Sequence, residues 1–296
     1  MTLDLTNLED SDIKYKLSKF PDGQQTVTID VEHFATLGLT PDAVIIIKSR
    51  LRSFRDLELI ISANQDLIGM ELENKRQLFV PYFLGARSDR KFQPGSSHYL
   101  KTVICPIINS QNFSKVTVLD AHSDVLEACL DHIYKVSNLG LVSFALSHID
   151  EEKDFTVIVS PDAGALKKIY DVAKAFSIAN VVTAGKVRNI VTGEILRTEM
   201  PDLSAYHDKR YKFIIIDDIC DGGRTFNEIK KAIELQIPGA TVYLVITHGI
   251  FSAGFNELNN NFAGIYCTNS YVDMDEPEFN MANDNKLHKL HQMNVF

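Results

Sequence analysis

The stretch 213–225 contains the residues whose types and spacing are best suited to chemistry. Asp217 and Asp218 follow four apolar residues, and Gly222 and Gly223 come shortly after them. Adjacent carboxylates can accept hydrogen bonds from the two vicinal hydroxyls of a ribose. Glycines let a phosphate approach the backbone closely, and the N-terminus of a following helix attracts its charge. This order of residues predicts a sugar-phosphate site.

The pattern around these residues predicts a strand, an acidic turn, a glycine loop and a helix. Residues 213–216 are apolar, as expected of a buried strand, and residues 225–233 have helical periodicity. In an open parallel sheet, ligands bind outside the carboxyl ends of the strands. A lone pair of aspartates would more often solvate a loop, but the whole ordered set favours a binding site.

Strand-like and helical segments alternate along the whole chain, which predicts an α/β fold. Strands are expected at 26–31, 43–47, 77–83, 116–119, 156–159, 180–182, 213–216, 242–246 and 264–267. Helices are expected at 54–67, 98–108 and 125–134, with others between most of the later strands. The similar pattern of the two halves predicts two related domains, each a mainly parallel sheet flanked by helices.

The charged segment 148–154 predicts the domain boundary. The expected domains are an N-terminal one of residues 1–149 and a C-terminal one of residues 150–296. Polar residues follow six of the expected strands, and the carboxyl ends of parallel strands are where α/β sites assemble. These polar segments are Arg87–Arg90, Asp120–His122, Ser160–Gly164, Lys186–Arg188, Asp217–Asp218 and Thr247–Gly249.

Composition narrows the classes of partner and compartment. The 296 residues carry a formal net charge of −9, so neither nucleic acid nor an anionic membrane is expected as a partner. The four cysteines lack CxxC spacing, which favours reduced thiols over a disulfide framework or a zinc site. Residues 1–12 contain no apolar signal core, and no apolar run approaches the length of a membrane span. A cytoplasmic protein is expected.

Over roughly residues 20–271, the chain resembles the ribose-phosphate diphosphokinases, also called phosphoribosyl-pyrophosphate synthetases, which have the type I phosphoribosyltransferase fold. The motifs that carry the resemblance are Phe20-Pro21-Asp22-Gly23, Pro81-Tyr82-Phe83, Arg87-Ser88-Asp89-Arg90-Lys91, Asp120-Ala121-His122-Ser123, Val159-Ser160-Pro161-Asp162-Ala163-Gly164, Lys186-Val187-Arg188, the Asp217 loop and Thr247-His248-Gly249-Ile250-Phe251-Ser252. Simple transferases of this fold have the Asp217-type loop without the motifs at 81–91 and His122 in this order. The series therefore disfavours a simple transferase.

The resemblance implies an enzyme that transfers the β,γ-diphosphoryl group of ATP to the anomeric hydroxyl of ribose 5-phosphate. The products are phosphoribosyl pyrophosphate, a precursor in nucleotide biosynthesis, and AMP, and Mg²⁺ is the implied cofactor. Catalysis of this kind depends on positioning, magnesium and cations more than on a covalent nucleophile. A homo-oligomer is implied, because the turn at Phe20 resembles one that completes the nucleotide site of a neighbouring subunit.

The resemblance also implies a role for each motif residue. Lys186 and Arg188 are the implied catalytic pair, which clamps the transferring phosphates. The implied ATP-binding residues are Phe20, Asp22, Gln24, Arg87, Ser88, Asp89, Arg90 and His122. His122 and Asp162 are implied to assist magnesium binding. The implied sugar-phosphate residues are Asp217, Asp218, Asp221, Gly222, Gly223, Arg224 and Thr225.

Two departures from the family pattern predict a larger acceptor. Gly222 stands where the family usually has threonine, and Arg224 stands where it often has glycine. The change opens space beside the 5-phosphate pocket and adds a guanidinium that can bind another phosphate. The larger candidate is ADP-ribose, from which the same chemistry gives ADP-ribose pyrophosphate for NAD salvage.

A third alternative is a non-catalytic regulatory homologue that binds the sugar phosphate without turnover. The cations and metal-site residues that catalysis needs are present in the sequence, which argues against it. These residues are Lys186, Arg188, His122 and Asp162.

Overall fold

The apolar runs form strands and the amphipathic segments form helices in a computed structural model that describes residues 1–40, 42–70, 75–149, 152–188, 195–274, 276 and 289–296. The side chains of residues 186–188 and 195–197 lie outside the described part. The chain divides into two units, Met1–Ser137 with Phe296 and Asn138–Val295.

The first unit contains seven of the described strands. Its elements are β1 (Thr2–Asp4), β2 (Tyr15–Lys19), β3 (Gln25–Ile29), α1 (Val31–Thr36), β4 (Val44–Lys48), α2 (Phe54–Gly69), β5 (Lys75–Phe79), a π-helical turn (Leu100–Ile104), α3 (Cys105–Asn109), β6 (Lys115–Leu119), α4 (Val125–Cys129) and β7 (Ile133–Val136). Five strands form a parallel sheet in the order β1-β4-β5-β6-β7. β2 and β3 form a separate antiparallel hairpin, and the Val27 N–H donates to Ser62 Oγ of α2 at 2.9 Å.

The second unit is built around a longer parallel sheet. Its elements are α5 (Leu139–His148), a 3₁₀ turn (Lys153–Phe155), β8 (Thr156–Ser160), α6 (Leu166–Phe176), β9 (Asn180–Thr183), β10 (Gly185–Arg188), β11 (Ile195–Glu199), a 3₁₀ turn (Ser204–Tyr206), β12 (Lys212–Cys220), α7 (Arg224–Gln236), β13 (Thr241–Gly249), α8 (Asn256–Asn261), β14 (Gly264–Thr268) and β15 (Leu290–Met293). Six strands pair in parallel in the order β15-β14-β13-β12-β8-β9. β10 and β11 form an antiparallel hairpin.

β12 is the central strand of this sheet and is buried on both faces. Phe213 and Ile215 point into a core with α7 and α8, whereas Ile214 and Ile216 point into a core with α5 and α6. All four residues are at most 1% exposed. A strand of a parallel sheet covered by helices on both faces reads as a continuous apolar run, which is why 213–216 could be assigned from the sequence. The predicted α/β class with two parallel sheets is confirmed.

Several expected elements end elsewhere than predicted, and the strand expected over 77–83 ends at Phe79. The helix expected over 125–134 stops at Cys129, because Ile133–Val136 pairs with β6 as strand β7 and His132 has a φ of +54°. β12 runs beyond residue 216 to Cys220 and stays paired with β13 there. Asp217 and Asp218 therefore lie within the carboxyl-terminal part of the strand and not in a turn after it.

The two units meet in sequence between Ser137 and Asn138, before the boundary expected between residues 149 and 150. The reason is the packing of α5. Its buried residues Leu141 and Ala145 contact the core that contains Ile214 and Ile216, so the helix belongs to the second unit. Within the described ranges, no helix is long and apolar enough to cross a bilayer.

Cysteine burial yields a test of this fold. Cys105, Cys220 and Cys267 are buried, and burial raises the pKa of Cys105 and of Cys267 to about 12 and that of Cys220 in the same direction, whereas Cys129 is partly exposed. A thiol reacts through its thiolate, which these pKa values suppress. We expect iodoacetamide at pH 8 to alkylate Cys129 in the folded protein and all four thiols after unfolding, as measured by mass spectrometry. Rapid labelling of Cys220 or Cys267 before unfolding would contradict the packing.

Candidate functional site

The candidate site lies at the carboxyl end of β12, where the topology of the second sheet reverses. From β8 the chain passes to β9 on one side and then returns to β12 on the other side. Ladder pairing between β12 and β8 ends at Ile215 and Val159, so the two strands are not paired beyond that point. Such a switch point opens a crevice for a ligand. Asp162 follows β8 and Asp217 lies near the end of β12, so both carboxylates belong to this edge.

Asp217 is held beside Asp218 in an environment that opposes its charge. Asp218 is 6% exposed, and its N–H donates to Asp217 Oδ1 at 2.9 Å. Burial, followed by the charge of Asp218 and a hydrogen bond with its side chain, raises the pKa of Asp217 well above its ordinary value and outweighs the Asp218 N–H, which lowers it. The charge of Asp162 acts in the same direction. A cation at this edge would lower that repulsion.

Lys168 supplies one cation. It lies on α6, and its Nζ is 3.7 Å from Asp218 Oδ2. Asp162 shapes the turn that precedes this helix, since its Oδ1 accepts the N–H groups of Gly164 at 3.0 Å and Ala165 at 3.2 Å. Lys168 was not among the site residues predicted from the sequence. Its signal was a lysine in the first turn of a helix that directly follows the Asp162 motif.

Magnesium fits the chemistry of these donors. Mg²⁺ prefers oxygen ligands and keeps several waters, so one or two carboxylates are enough to hold it. The raised pKa of Asp217 marks carboxylates that a divalent cation would stabilise. Within the described ranges, no group of three or more His, Cys, Asp or Glu side chains forms a ready metal site. The predicted metal residues His122 and Asp162 lie in the first and the second unit, respectively.

The phosphate loop, residues 221–223, joins β12 to α7. Gly223 has a φ of +77°, and a Cβ there would lie 2.9 Å from Leu258 Cδ2. Both the backbone conformation and the contact with Leu258 therefore disfavour a side chain at this residue. Gly222 is different, because a Cβ would make ordinary contacts with Ala253 Cβ at 3.6 Å and Ser252 Oγ at 3.9 Å. Ser252 Oγ also donates a hydrogen bond to Asp221 Oδ1.

The loop leads directly into the N-terminus of α7. Gly223 is the N-cap, and among the described residues no side chain caps this end by a hydrogen bond. Backbone N–H groups at an uncapped helix start favour an anion. Arg224 is the first helical residue, and its side chain is 84% exposed with Nε 2.8 Å from Glu228 Oε1. The guanidinium therefore lies on the solvent side of the helix start, paired with Glu228. Thr225 follows it in the first turn.

The predicted catalytic pair lies on the β10–β11 hairpin. The backbone of Lys186 pairs with Thr198 and that of Arg188 with Ile195, with an irregularity between Val187 and Arg188. The side chains of Lys186 and Arg188 lie outside the described part of the chain. The prediction that they clamp phosphates stays a prediction.

In the first unit, the predicted nucleotide residues Asp89, Arg90 and His122 lie close together. Asp89 is 2% exposed and accepts hydrogen bonds from Arg90 Nε at 2.9 Å and Nη2 at 3.2 Å. Burial raises the pKa of Asp89, but the Arg90 hydrogen bond and the charges of Arg90 and His122 outweigh it and hold the pKa below its ordinary value. Asp89 thus remains a carboxylate that orients an exposed guanidinium. Arg87 is exposed, and Ser88 is half-buried with its N–H donating to the Gly85 carbonyl at 2.8 Å.

The remaining predicted nucleotide residues occupy the tip of the β2–β3 hairpin. The Phe20 N–H donates to the Gln24 carbonyl at 2.8 Å, and the Gly23 N–H donates to the Phe20 carbonyl at 2.9 Å. Asp22 Oδ1 accepts the Gln24 N–H at 3.1 Å. These bonds form a tight turn that leaves the Phe20 side chain 52% exposed.

The chain has relatives of known name in sequence. No family model matches the chain. Ribose-phosphate pyrophosphokinase 4 of Saccharomyces cerevisiae is 28% identical over 207 residues, which cover 67% of this chain and 59% of that protein. A putative ribose-phosphate pyrophosphokinase 2 of Streptococcus pneumoniae is 29% identical over 210 residues, covering 69% and 62%. The chain is a sequence relative of the ribose-phosphate pyrophosphokinases. It spans about three fifths of the length of these two relatives.

A solved structure has the same fold. A crystal structure of phosphoribosylpyrophosphate synthetase from Mycobacterium smegmatis superposes with a TM-score of 0.74 at 14% identity, covering 97% of this chain and 88% of that one. In sequence, the ribose-phosphate pyrophosphokinase of Marinomonas sp. is 24% identical over 239 residues, which are 80% of this chain and 71% of that protein. The chain therefore has the two-domain, type I phosphoribosyltransferase-like fold that the resemblance implied.

The two loop glycines give a matched pair of variants. Gly223→Ala should lower the free energy of unfolding by about 2 kcal/mol, because it combines left-handed strain with a clash against Leu258. Gly222→Ala should change it by less than about 0.5 kcal/mol, since its Cβ meets ordinary contacts. Urea denaturation measures both. Equal losses in the two variants would contradict the described loop.

The charge on Asp217 gives a pH-dependent prediction. A carboxyl with a raised folded-state pKa stabilises the fold fully below its ordinary pKa and loses that contribution as pH rises through the folded pKa. Asp217→Asn removes this loss, so at pH 7 the variant should be more stable on the order of 1 kcal/mol, and the difference should disappear towards pH 4.

Denaturation between about pH 4 and 8 measures this difference. Asp208→Asn is the control, because a hydrogen bond from Arg210 lowers the pKa of Asp208 and the substitution should give no gain at pH 7. Equal or lower stability of Asp217→Asn at pH 7 would show that the aspartate pair is not electrostatically strained.

Proposed function

We propose that the protein is an ATP-dependent diphosphokinase that transfers the β,γ-diphosphoryl group of ATP to the anomeric hydroxyl of ribose 5-phosphate. The products are phosphoribosyl pyrophosphate and AMP. The observation that carries the proposal is the switch-point edge, where half-buried Asp217 and buried Asp218 are followed directly by the phosphate loop and the start of α7. The sequence relatives, which are named ribose-phosphate pyrophosphokinases, support the same chemistry.

The second unit supplies the acceptor site in this proposal. Asp217 and Asp218 accept hydrogen bonds from the two ribose hydroxyls, and Lys168 Nζ lies 3.7 Å from Asp218 Oδ2. The backbone of the phosphate loop and Thr225 hold the 5-phosphate at the α7 N-terminus. Asp221 is fixed by Ser252, so the loop is set before the acceptor arrives. Such preorganisation lowers the cost of ordering the site.

Magnesium is the proposed cofactor. His122 in the first unit and Asp162 in the second are the residues proposed to assist its binding, and Asp217 offers a carboxylate at the same edge as Asp162. When bound, Mg²⁺ neutralises charge on the phosphate oxygens of ATP.

The proposed donor site belongs to the first unit. Arg90, aligned by buried Asp89, and exposed Arg87 are the cations proposed to bind ATP. Lys186 and Arg188 are proposed to stabilise the charge that develops as the diphosphoryl group moves. Phosphoryl transfer needs little covalent chemistry from the protein, so positioning and cations are enough for the reaction.

A homo-oligomer is part of the proposal. The β2–β3 hairpin exposes Phe20 by 52% and Leu17 by 49%, and both would be buried if the hairpin tip met a neighbouring copy. Phe20, Asp22 and Gln24 would then complete the nucleotide site of that neighbour.

Four free thiols are suited to a reducing compartment, which supports a cytoplasmic location.

The proposed reaction is tested by AMP release. The protein is incubated with ATP and Mg²⁺ together with ribose 5-phosphate, with ADP-ribose, or with neither. We expect acceptor-dependent AMP in equimolar amount with a pyrophosphorylated sugar. Lys186→Ala should lower kcat by about 100-fold or more with a smaller change in acceptor KM, because one preorganised transition-state contact is lost. Absence of AMP with both acceptors would favour a regulatory homologue.

ADP-ribose is the second candidate acceptor, and the geometry of the loop favours considering it. Glycine leaves residue 222 without a side chain, and a Cβ there would meet Ala253 Cβ at 3.6 Å and Ser252 Oγ at 3.9 Å. The Arg224 guanidinium is exposed beside the start of α7. A substituent on the 5-phosphate could use the first feature for room and the second to bind its additional phosphate. The same transfer would then give ADP-ribose pyrophosphate for NAD salvage.

The acceptor is tested by the ratio of kcat/KM for ADP-ribose to that for ribose 5-phosphate. If ADP-ribose is used, Gly222→Thr should lower this ratio by about tenfold or more, because threonine fills the space towards Ser252. Gly222→Ala is the matched control and should change the ratio less. A ratio unaffected by Gly222→Thr would mean that acceptor size is not read at residue 222.

A further inference from the structure

Glu228 joins two parts of the second unit through one carboxylate. Its Oε1 accepts a hydrogen bond from Arg224 Nε at 2.8 Å, and its Oε2 accepts one from Thr198 Oγ1 at 3.1 Å. Its side chain is 28% exposed. The Arg224 hydrogen bond, followed by the Thr198 hydrogen bond and the charge of Arg224, outweighs burial and lowers the pKa of Glu228, so the acceptor stays ionised. Hydrogen bonds to an ionised acceptor are stronger than neutral ones.

Gln236 makes a second connection between α7 and the same stretch of chain. Its Oε1 accepts the Leu203 N–H at 3.0 Å, and its Nε2 donates to the Pro201 carbonyl at 3.0 Å. Glu228 and Gln236 are separated by about 12 Å of helix. β11 and the residues after it therefore lie along α7, held near both ends. The helix sets the position of this strand.

The Glu228 connection lies where the hairpin matters for the proposed chemistry. Thr198 is directly opposite Lys186 in the β10–β11 register. At its other end, the Arg224–Glu228 pair is anchored in the first turn of α7, next to Gly223 of the phosphate loop. A continuous series of contacts thus runs from the phosphate loop to the backbone partner of Lys186.

We propose that Glu228 is a positioning residue, which holds the β10–β11 hairpin through Thr198 so that the backbone of Lys186 stays at a fixed distance from the phosphate loop. The proposal rests on the proposed function, in which Lys186 clamps the transferring phosphates. Glu228 touches neither substrate in this scheme. It acts by restricting where the hairpin can lie. Part of the entropy cost of ordering Lys186 is therefore met when the protein folds and not when the substrates bind.

The test uses substitutions that change one hydroxyl. Thr198→Val keeps the β-branched shape and removes the donor to Glu228, whereas Thr198→Ser keeps the donor. Hydrogen exchange of the backbone amides in Gly185–Arg188 and Ile195–Glu199 reports the anchor without any assay of activity. We expect exchange about tenfold faster in Thr198→Val and close to wild type in Thr198→Ser.

Kinetics with ATP, Mg²⁺ and the acceptor that the wild type uses give the second readout. Thr198→Val should lower kcat by about tenfold and change acceptor KM by less than about twofold, because the acceptor loop is intact. Thr198→Ser should restore kcat. Gln236→Leu removes the connection far from Lys186 and should leave kcat near that of wild type.

The outcomes separate this proposal from the proposed function. An inactive wild type whose hairpin exchanges faster after Thr198→Val would reject the diphosphokinase activity and support the anchor. An active wild type with unchanged exchange and kcat in Thr198→Val would overturn the positioning role and leave the activity standing. Faster exchange with unchanged kcat would also overturn it, because the hairpin would then not need the anchor for catalysis.

Discussion

The placement of two adjacent carboxylates, one half-buried and one buried, at the end of a parallel strand is the constraint on which the rest of the site depends. Asp218 is almost fully buried, and the pKa of Asp217 is raised by burial and by its neighbour. Such an arrangement costs stability at neutral pH, so it persists only on a rigid support. The support is β12, paired on both sides and covered by helices on both faces. The strain favours binding of a cation and of sugar hydroxyls.

The loop and the helix that follow β12 place backbone N–H groups that favour an anion near this pair. Gly223 packs so tightly on Leu258 that the turn into α7 has little freedom, and the helix start is left uncapped by side chains in the described part of the chain. Hydrogen bonds of Glu228 and Gln236 then connect α7 to β11 and to the residues that follow β11. One strand and one helix thus connect the phosphate loop to the hairpin that carries Lys186.

Much of this could be predicted from the sequence because it is local. The apolar run at 213–216, the glycine loop and the helix after it are adjacent in the chain, and so are Asp89 and Arg90. What could not be predicted depends on pairing between distant residues. The assignment of α5 to the second unit comes from its packing under Ile214. The contacts of Lys168 with Asp218 and of Thr198 with Glu228 join residues 50 and 30 positions apart.

The central claim is that the strained aspartate pair is the site of cation and sugar-phosphate binding. Calorimetric titration with ribose 5-phosphate in the presence of Mg²⁺, in two buffers of different ionisation enthalpy, measures the protons released on binding. Because the pKa of Asp217 is raised in the free protein, binding should release a proton at pH values above the ordinary carboxyl pKa, and Asp217→Asn should release fewer protons than the wild type. Equal proton release from the wild type and Asp217→Asn would contradict the account.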